Sequence, residues 1–384
     1  MAAPERRERN GKVRWYARYR DPEGRQRSKT FDRKVDAQAF LDDVSSDMRR
    51  GRYIDVDAGK VSLRDYSAQW LSAQTFSETT YSLVEQRLRL HVYPRLGDRQ
   101  LRQLTPSVIQ AWLKGLSDLA PKYQKDIFGH LSAILTAAVD DEKITKNPCK
   151  AQSVKRPKLE PRKVVPWTRD QVVAVRDALP DQYQIMATLA AGLGLRQGEV
   201  FGLSPDDIDF LRGTVTIRRQ VKLFVKNKAF APPKAGRTRE IPLPSTVRDA
   251  LAAHLAAHPA QTVTLPWKTL GGEAVPVSLV VTRHGEAMGR NWVNSYLWGP
   301  ALDKAEVPRG RDNGMHALRH FYASVLLDAG ENIKALSSYL GHADPGFTLR
   351  TYTHLMPSST ERTRQAIDGA LKGQDPASTS ETGS

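Results

Sequence analysis

The chain has one cysteine, Cys149, among 384 residues. That excludes an internal disulfide framework and any cysteine-based zinc cluster. Long apolar runs are also lacking. The longest, such as residues 186–195, fall far short of the roughly 20 residues that a membrane span needs. The opening MAAPERRERN carries charge with no apolar stretch behind it, so it does not read as a signal peptide. Walker A, HExxH and acidic metal-binding patterns are all missing. Acidic residues are in deficit, with 42 Asp+Glu against 58 Lys+Arg and a formal net charge of +16. What is present is globular: 40% hydrophobic and 26% charged residues, enough to build cores. At roughly 100–200 residues per domain, the length implies two or three domains. We expect a soluble, intracellular, multi-domain protein with no cofactor and no membrane partner. Its surplus of positive charge suits a polyanion.

The first 34 residues are strongly basic. In residues 13–20, Val13, Trp15, Ala17 and Tyr19 alternate with Arg14, Tyr16, Arg18 and Arg20, the period of a strand. The Asp21–Gly24 segment is a turn signal. Arg25, Arg27 and Lys29 then share one face of a second strand. A helix over about 35–50 carries Ala37, Phe40, Leu41 and Val44 as its apolar stripe. The expectation is a small β-sheet backed by one helix. Arg14, Tyr16, Arg18, Arg20, Arg25, Arg27 and Lys29 would form a nucleic-acid surface; the alternative is a merely solvated basic face.

A linker is expected at 51–60. An all-α unit follows over about 62–145, opened by Ser62 as N-cap with Asp65 three residues on. Thr105 and Pro106 form another helix start. Residues 150–165 read as a basic linker. From 166 to about 370, helices flank strands near 213–223 and 239–243, a mixed α+β domain. Helices are expected from about Val247 onward. The tail from 372 has a disordered composition. The expected divisions are therefore 1–60, 61–150, 151–165, 166–371 and 372–384.

Histidines concentrate late, at 284, 316, 320, 342 and 354. His316 and Arg319 lie three apart at the start of an expected helix, with Leu318, Phe321, Tyr322, Val325 and Leu326 as its buried stripe. Its N-terminal end favours an anion. His320 reads as buried packing. Gly341 stops a short helix before His342, and a helical turn leads through Tyr352 to His354. Earlier, Gly192-Leu193-Gly194-Leu195-Arg196 places an arginine after a glycine turn, and Glu199 is spaced to brace it. Lys234 reads as a lysine at a hairpin tip.

In this order, Arg196 in GLRxxE, Lys234, His316-x-x-Arg319, and Leu340-Gly341-His342 ten residues before Tyr352 closely resemble the tyrosine recombinases of phages and mobile elements. The resemblance covers the whole chain in architecture and about 166–356 in motifs. It implies a tyrosine nucleophile at 352, an arginine pair at 196 and 319, histidines at 316 and 342, and Lys234 on a mobile hairpin. It also implies an arm-site-binding sheet domain and a helical core-binding domain. The partners it implies are double-stranded DNA at core and arm attachment sites, a homotetramer on synapsed DNA, a DNA-bending host factor and an excisionase. The Arg-, Ala- and Gly-rich composition hints at a GC-rich bacterial lineage.

The chemistry is coherent. A tyrosine hydroxyl attacks a phosphodiester to give a 3′-phosphotyrosine, and two arginines clamp the charge that builds on the phosphate. One such preorganised donor supplies on the order of 3–4 kcal/mol. Tyrosine's ordinary pKa is about 10, so a base is useful, and His316 is the candidate. Lys234 is the candidate general acid for the leaving 5′ oxygen; Lys222, Lys226 and Lys228 lie nearby as alternatives. His342 would bind the phosphate or orient the nucleophile. Glu199 would be structural support. Two rivals remain at this level: a type IB topoisomerase-like enzyme, and a DNA-binding regulator without catalysis.

Overall fold

The computed structural model describes residues 3–9, 12–22, 24–49, 58–159, 164–224, 227–342 and 344–352, together with Arg364, Ile367 and Asp368. The chain divides into two compact units, 1–161 and 162–384. Most of the linker at 51–60, part of that at 150–165, His354, Lys226 and the tail from 372 lie outside the described residues.

The first unit opens with a three-stranded antiparallel sheet, β1 (Glu5–Arg9), β2 (Lys12–Arg20) and β3 (Gln26–Phe31), with β2 in the centre. Helix α1 (Lys34–Arg49) covers one face. Trp15, Ala17, Tyr19 and Phe31 meet Ala37, Phe40 and Leu41 in a small core. Strand β1 was not legible in the sequence, because ERRER is an edge strand of charges with no apolar alternation.

The register corrects the expected basic surface. Trp15 pairs with Phe31, Ala17 with Lys29 and Tyr19 with Arg27. Directly opposed residues share a face, so Lys29 and Arg27 lie on the helix-covered side, away from Arg14, Tyr16, Arg18 and Arg20. The Lys29 ammonium sits 4.6 Å from the Phe40 ring centroid. Arg27 binds Asp21 at 3.1 Å. Arg25 precedes β3 and lies in the turn, its backbone N–H donating to Asp21. The open face is instead built from β1 and β2. Glu5 pairs with Tyr16 and Arg7 with Arg14. On this face Arg18 is 3.2 Å from Glu5, Arg14 is 2.6 Å from Asp32, and the Arg7 guanidinium lies over Tyr16.

The rest of the unit is helical. Helix α2 (Leu63–Ser72) is capped by Ser62, whose hydroxyl accepts from the Asp65 N–H. Helix α3 (Glu78–Arg87) runs on through wide π-type turns to Gly97. Helix α4 (Pro106–Lys114) starts with Thr105 as cap and proline at the first turn, and α5 (Pro121–Asp140) closes the set. Leu63, Leu88, Val92, Ile109, Ile127, Leu131 and Ile134 form its dry core.

The second unit carries α6 (Arg169–Ala178), α7 (Asp181–Leu193) and α8 (Gln197–Phe201) before its strands. Strands β4 (Ile208–Asp209), β5 (Thr214–Ile217) and β8 (Arg239–Pro242) make one antiparallel sheet, while β6 (Gln220–Phe224) and β7 (Asn227–Ala231) form a separate hairpin. The single strand expected over 213–223 is thus broken. The break falls at Arg218–Arg219, where the Arg219 side chain turns in to bind both oxygens of buried Asp207 at 2.7 and 3.1 Å. Phe224 pairs with Asn227 at the closed end of the β6–β7 hairpin, so Lys234 is not at its tip. Lys234 lies beyond β7, in the exposed turn Lys234–Gly236, where the chain crosses to the other sheet through Pro232 and Pro233.

After α9 (Ser245–Ala257) the expectation of helices alone does not hold. Strands β9 (Gln261–Pro266) and β10 (Ala274–Leu279) form an antiparallel hairpin, followed by the short pair β11 (Thr282–Arg283) and β12 (Glu286–Ala287). The alternation Val263, Leu265 against Val275, Val277 is a strand period. Helices α10 (Arg290–Trp292) and α11 (Gly299–Lys304) are joined by π-type turns. Then come α12 (His316–Asp328), α13 (Ile333–Leu340) and α14 (Pro345–Tyr352). Among the described residues, no helix is long and apolar enough to cross a membrane.

Candidate active site

Two left-handed glycines organise the site. Helix α7 ends at Gly194 with φ +63°, and α13 ends at Gly341 with φ +61°. A Cβ on Gly194 would lie 2.5 Å from the Tyr322 ring, so the position admits only glycine without a shift. Helix C-termini leave carbonyls without intrahelical partners. Here the arginines take them. Arg319 donates from Nη1 to the Gly194 carbonyl at 2.7 Å and from Nη2 to the Leu340 carbonyl. Arg196 donates from Nη2 to the Gly341 carbonyl at 3.3 Å.

Glu199 ties the arginines together from below. It is 1% exposed. It accepts from the Arg196 backbone N–H and from Arg196 Nη1, both at 2.9 Å. It also accepts both terminal nitrogens of Arg239, at 3.0 and 2.7 Å, while Arg239 Nε donates to the Tyr339 carbonyl. Burial alone would raise the Glu199 carboxyl, but the hydrogen-bonded charge of Arg239 and that of Arg196 hold it at about 2. Arg196 and Arg239 both pair with this single carboxylate, and its charge also acts on Arg319 nearby. The cluster keeps an excess of positive charge, the sign that an incoming phosphodiester requires.

Arg319 is 1% exposed on α12, and its Nε has no hydrogen-bond partner among the described residues. An orphaned buried donor of this kind marks a place for an anionic acceptor. Arg319 Nη2 also reaches His342 Nε2 at 3.1 Å. Arginine only donates, so Nε2 accepts and the proton sits on Nδ1. Nδ1 then donates to Thr348 Oγ1 at 2.7 Å, which also receives the Ser337 hydroxyl. Burial, with the charges of Arg319 and Arg196, pushes the His342 pKa down to about 3.

Tyr352 ends α14 and is 1% exposed. Its pKa is pushed up to about 12 by burial, against the pull of Arg319 and Arg196. The imidazole at hydrogen-bond distance from its hydroxyl is that of His320, with Nδ1 2.7 Å from Tyr352 Oη. His320 is held neutral at about 4 by burial and Arg319. His316 makes an edge-to-face contact with His320, centroids 4.8 Å apart. It stands at the open rim, with part of its surface in solvent. Desolvation on its inner side, with His320, Arg319 and Arg196 beside it, still lowers its pKa.

Arg196, Glu199, Arg319, His342 and Tyr352 therefore converge, with His316 at the edge. Lys234 does not join them. It is exposed and makes no hydrogen bond or ion pair with the described residues. Lys228, one alternative, is committed to the Ala287 carbonyl at 2.7 Å and to Glu286; Lys222 lies over Phe224. Val325 is 47% exposed rather than part of the buried stripe, because Arg319 takes an inward position on α12. Sequence reading missed three members of the site. Arg239 reads as one more basic strand residue, and Thr348 as helix filler. His320 follows Arg319 directly, and the one-residue step turns it from Arg319's cradle toward α14. Among the described residues, no three His, Cys, Asp or Glu side chains gather as metal ligands.

A tyrosine held beside two cradled arginines, on helices packed with a small antiparallel sheet, is the arrangement of a tyrosine recombinase. The Phage integrase family matches residues 167–358; the phage integrase N-terminal SAM-like domain matches 62–117, and the phage integrase N-terminal domain matches 6–50. The chain belongs to the phage integrase family and is a site-specific tyrosine recombinase. The integrase of Mycobacterium phage D29 is 25% identical over 358 residues, 90% of this chain and 91% of that one. Among solved structures, the Tn1549 transposon integrase in complex with a circular intermediate DNA superposes with TM-score 0.66. That match has 21% identity and covers 81% of this chain and 99% of that one. A lambda integrase tetramer bound to a Holliday junction gives TM-score 0.57 at 19% identity, over 88% and 96%.

Proposed function

We propose that this recombinase cuts and rejoins DNA through Tyr352, to integrate and excise a mobile element. The observation that carries the reading is the Tyr352 hydroxyl stored inside the arginine-rich cluster. Tyr352 Oη attacks the scissile phosphorus, the 3′-phosphotyrosine bond forms, and the 5′ oxygen leaves. Arg196 and Arg319 clamp the phosphate oxygens, with the orphaned Arg319 Nε as a ready donor. Glu199 and Arg239 fix the two arginines. His342, its tautomer set by Thr348, orients the clamp, and His316 closes the rim. Lys234, on its exposed turn, reaches the leaving oxygen as general acid once DNA lies on the site. No ATP enters, because the ester keeps the bond energy.

The functional divisions we propose are an arm-site domain over 1–60, a core-binding domain over 61–150 and a catalytic domain over 166–371. The enzyme works as a homotetramer on two duplexes, with a bending factor and an excisionase setting direction. Its place of work is the bacterial cytoplasm and nucleoid. The test is a two-plasmid reaction with paired attachment sites. Recombinants together with Holliday junctions are the expected products. Relaxation of a plasmid that carries no site would favour the topoisomerase reading.

A further inference from the structure

The nucleophile's own partner is a residue with no assigned part in the reaction. We propose that His320 is a catalytic residue, which holds Tyr352 Oη through Nδ1 and accepts its proton as the oxygen attacks phosphorus. The inference rests on the reading of Tyr352 as the nucleophile. The 2.7 Å contact puts Nδ1 on the reacting atom itself, within the reach that proton transfer requires. Both partners are set by different elements, His320 by α12 and Tyr352 by α14. The ring of His320 is further fixed between two aromatic contacts, edge-to-face with His316 at 4.8 Å and with Tyr352 at 5.6 Å.

The atoms balance. Nδ1 is unprotonated in the neutral ring whose proton sits on Nε2, so it receives the Tyr352 proton. A lone pair of Oη forms the bond to phosphorus. The bond from phosphorus to the 5′ oxygen breaks, and that oxygen takes its proton from the general acid. Charged or titratable groups around His320 are Tyr352 from α14, His316 and Arg319 on its own helix, and Asp312 from the preceding turn. In the absence of DNA, Arg319 opposes a second positive charge on His320. A phosphodiester bound on Arg319 brings the negative charge that removes this opposition. The pair is then silent at rest and active on DNA.

The experiment uses the full chain on a nicked duplex carrying a core site at which the wild type forms its covalent adduct. Two forms of the duplex are compared, one ordinary and one with sulfur in place of the bridging 5′ oxygen. Sulfur leaves without a proton, so a general-acid defect is relieved and a defect at the nucleophile is not. We expect His320→Asn to slow cleavage by about 10²-fold or more on both duplexes, with a rate that climbs about tenfold per pH unit. Lys234→Ala should recover on the sulfur duplex. His320→Ala should regain cleavage with added imidazole, a result that an unfolded variant cannot give. If His320→Asn cleaves the sulfur duplex within about threefold of wild type across the pH range, the inference is overturned while the Tyr352 reading stands. An adduct that persists in Tyr352→Phe would overturn both.

Discussion

At the residue scale, the site is governed by one buried carboxylate. Glu199 neutralises part of a cluster in which Arg239 and Arg319 are buried. Glu199→Gln leaves Arg239 buried without its counter-charge and frees Arg196 from its brace. Removing one partner of a buried pair costs about 3–5 kcal/mol, so urea unfolding of this variant should show a loss of that order, with cleavage falling alongside it. The pH dependence follows from the same residue and its neighbours. Glu199 has a folded pKa near 2, below its ordinary 4.5. Its stabilisation is complete above 4.5 and is lost as pH falls toward 2. His320 and His342 have folded values of about 4 and 3, below the ordinary 6.5. The unfolded chain therefore binds protons first, and stability declines as pH falls from about 6.5. Thermal melts from pH 7 to 3 should show a continuous drop in midpoint. A flat profile between pH 6.5 and 4.5 would contradict neutral histidines in the folded site.

At the scale of elements, helix ends do the positioning. Gly341→Ala meets both its left-handed φ and the Arg239 side chain at 3.1 Å. The conformation alone costs about 1–2 kcal/mol. Because its carbonyl also holds Arg196, cleavage should fall further than stability does, as adduct formation beside a denaturation curve would show. The sheet of the first unit makes a second prediction. Arg14→Ala and Arg18→Ala should weaken binding of arm DNA and reduce its salt dependence. Lys29→Ala should leave both unchanged and lower the melting temperature, since Lys29 packs on Phe31 and Phe40. Equal losses of binding in all three would contradict the register. Much of this level was legible beforehand. The caps at Ser62 and Thr105 read directly from local patterns, and the order of Arg196, Arg319, His342 and Tyr352 from the family resemblance. What escaped depends on pairing across the chain. The face of Lys29 is set by its partner in β2, and the place of Lys234 by which sheet the chain joins next. The role of Arg239 is set by a carboxylate 40 residues earlier. Local periodicity carries none of these.

At the scale of the molecule, the +16 charge and the proposed arm-site, core-binding and catalytic divisions assign holding DNA and cutting it to different parts of the chain. Removal of residues 1–60 should abolish or weaken assembly on full attachment sites and leave strand cleavage on a short core duplex intact. Normal recombination of full sites by residues 61–384 would contradict the arm role. The central claim is that Tyr352 is the nucleophile of a strand exchange that needs no metal. The most direct measurement is a denaturing gel of the protein with a nicked core duplex in EDTA, wild type beside Tyr352→Phe. The account predicts a covalent protein–DNA adduct with wild type alone. An adduct in the phenylalanine variant, or its loss on chelation, would contradict it.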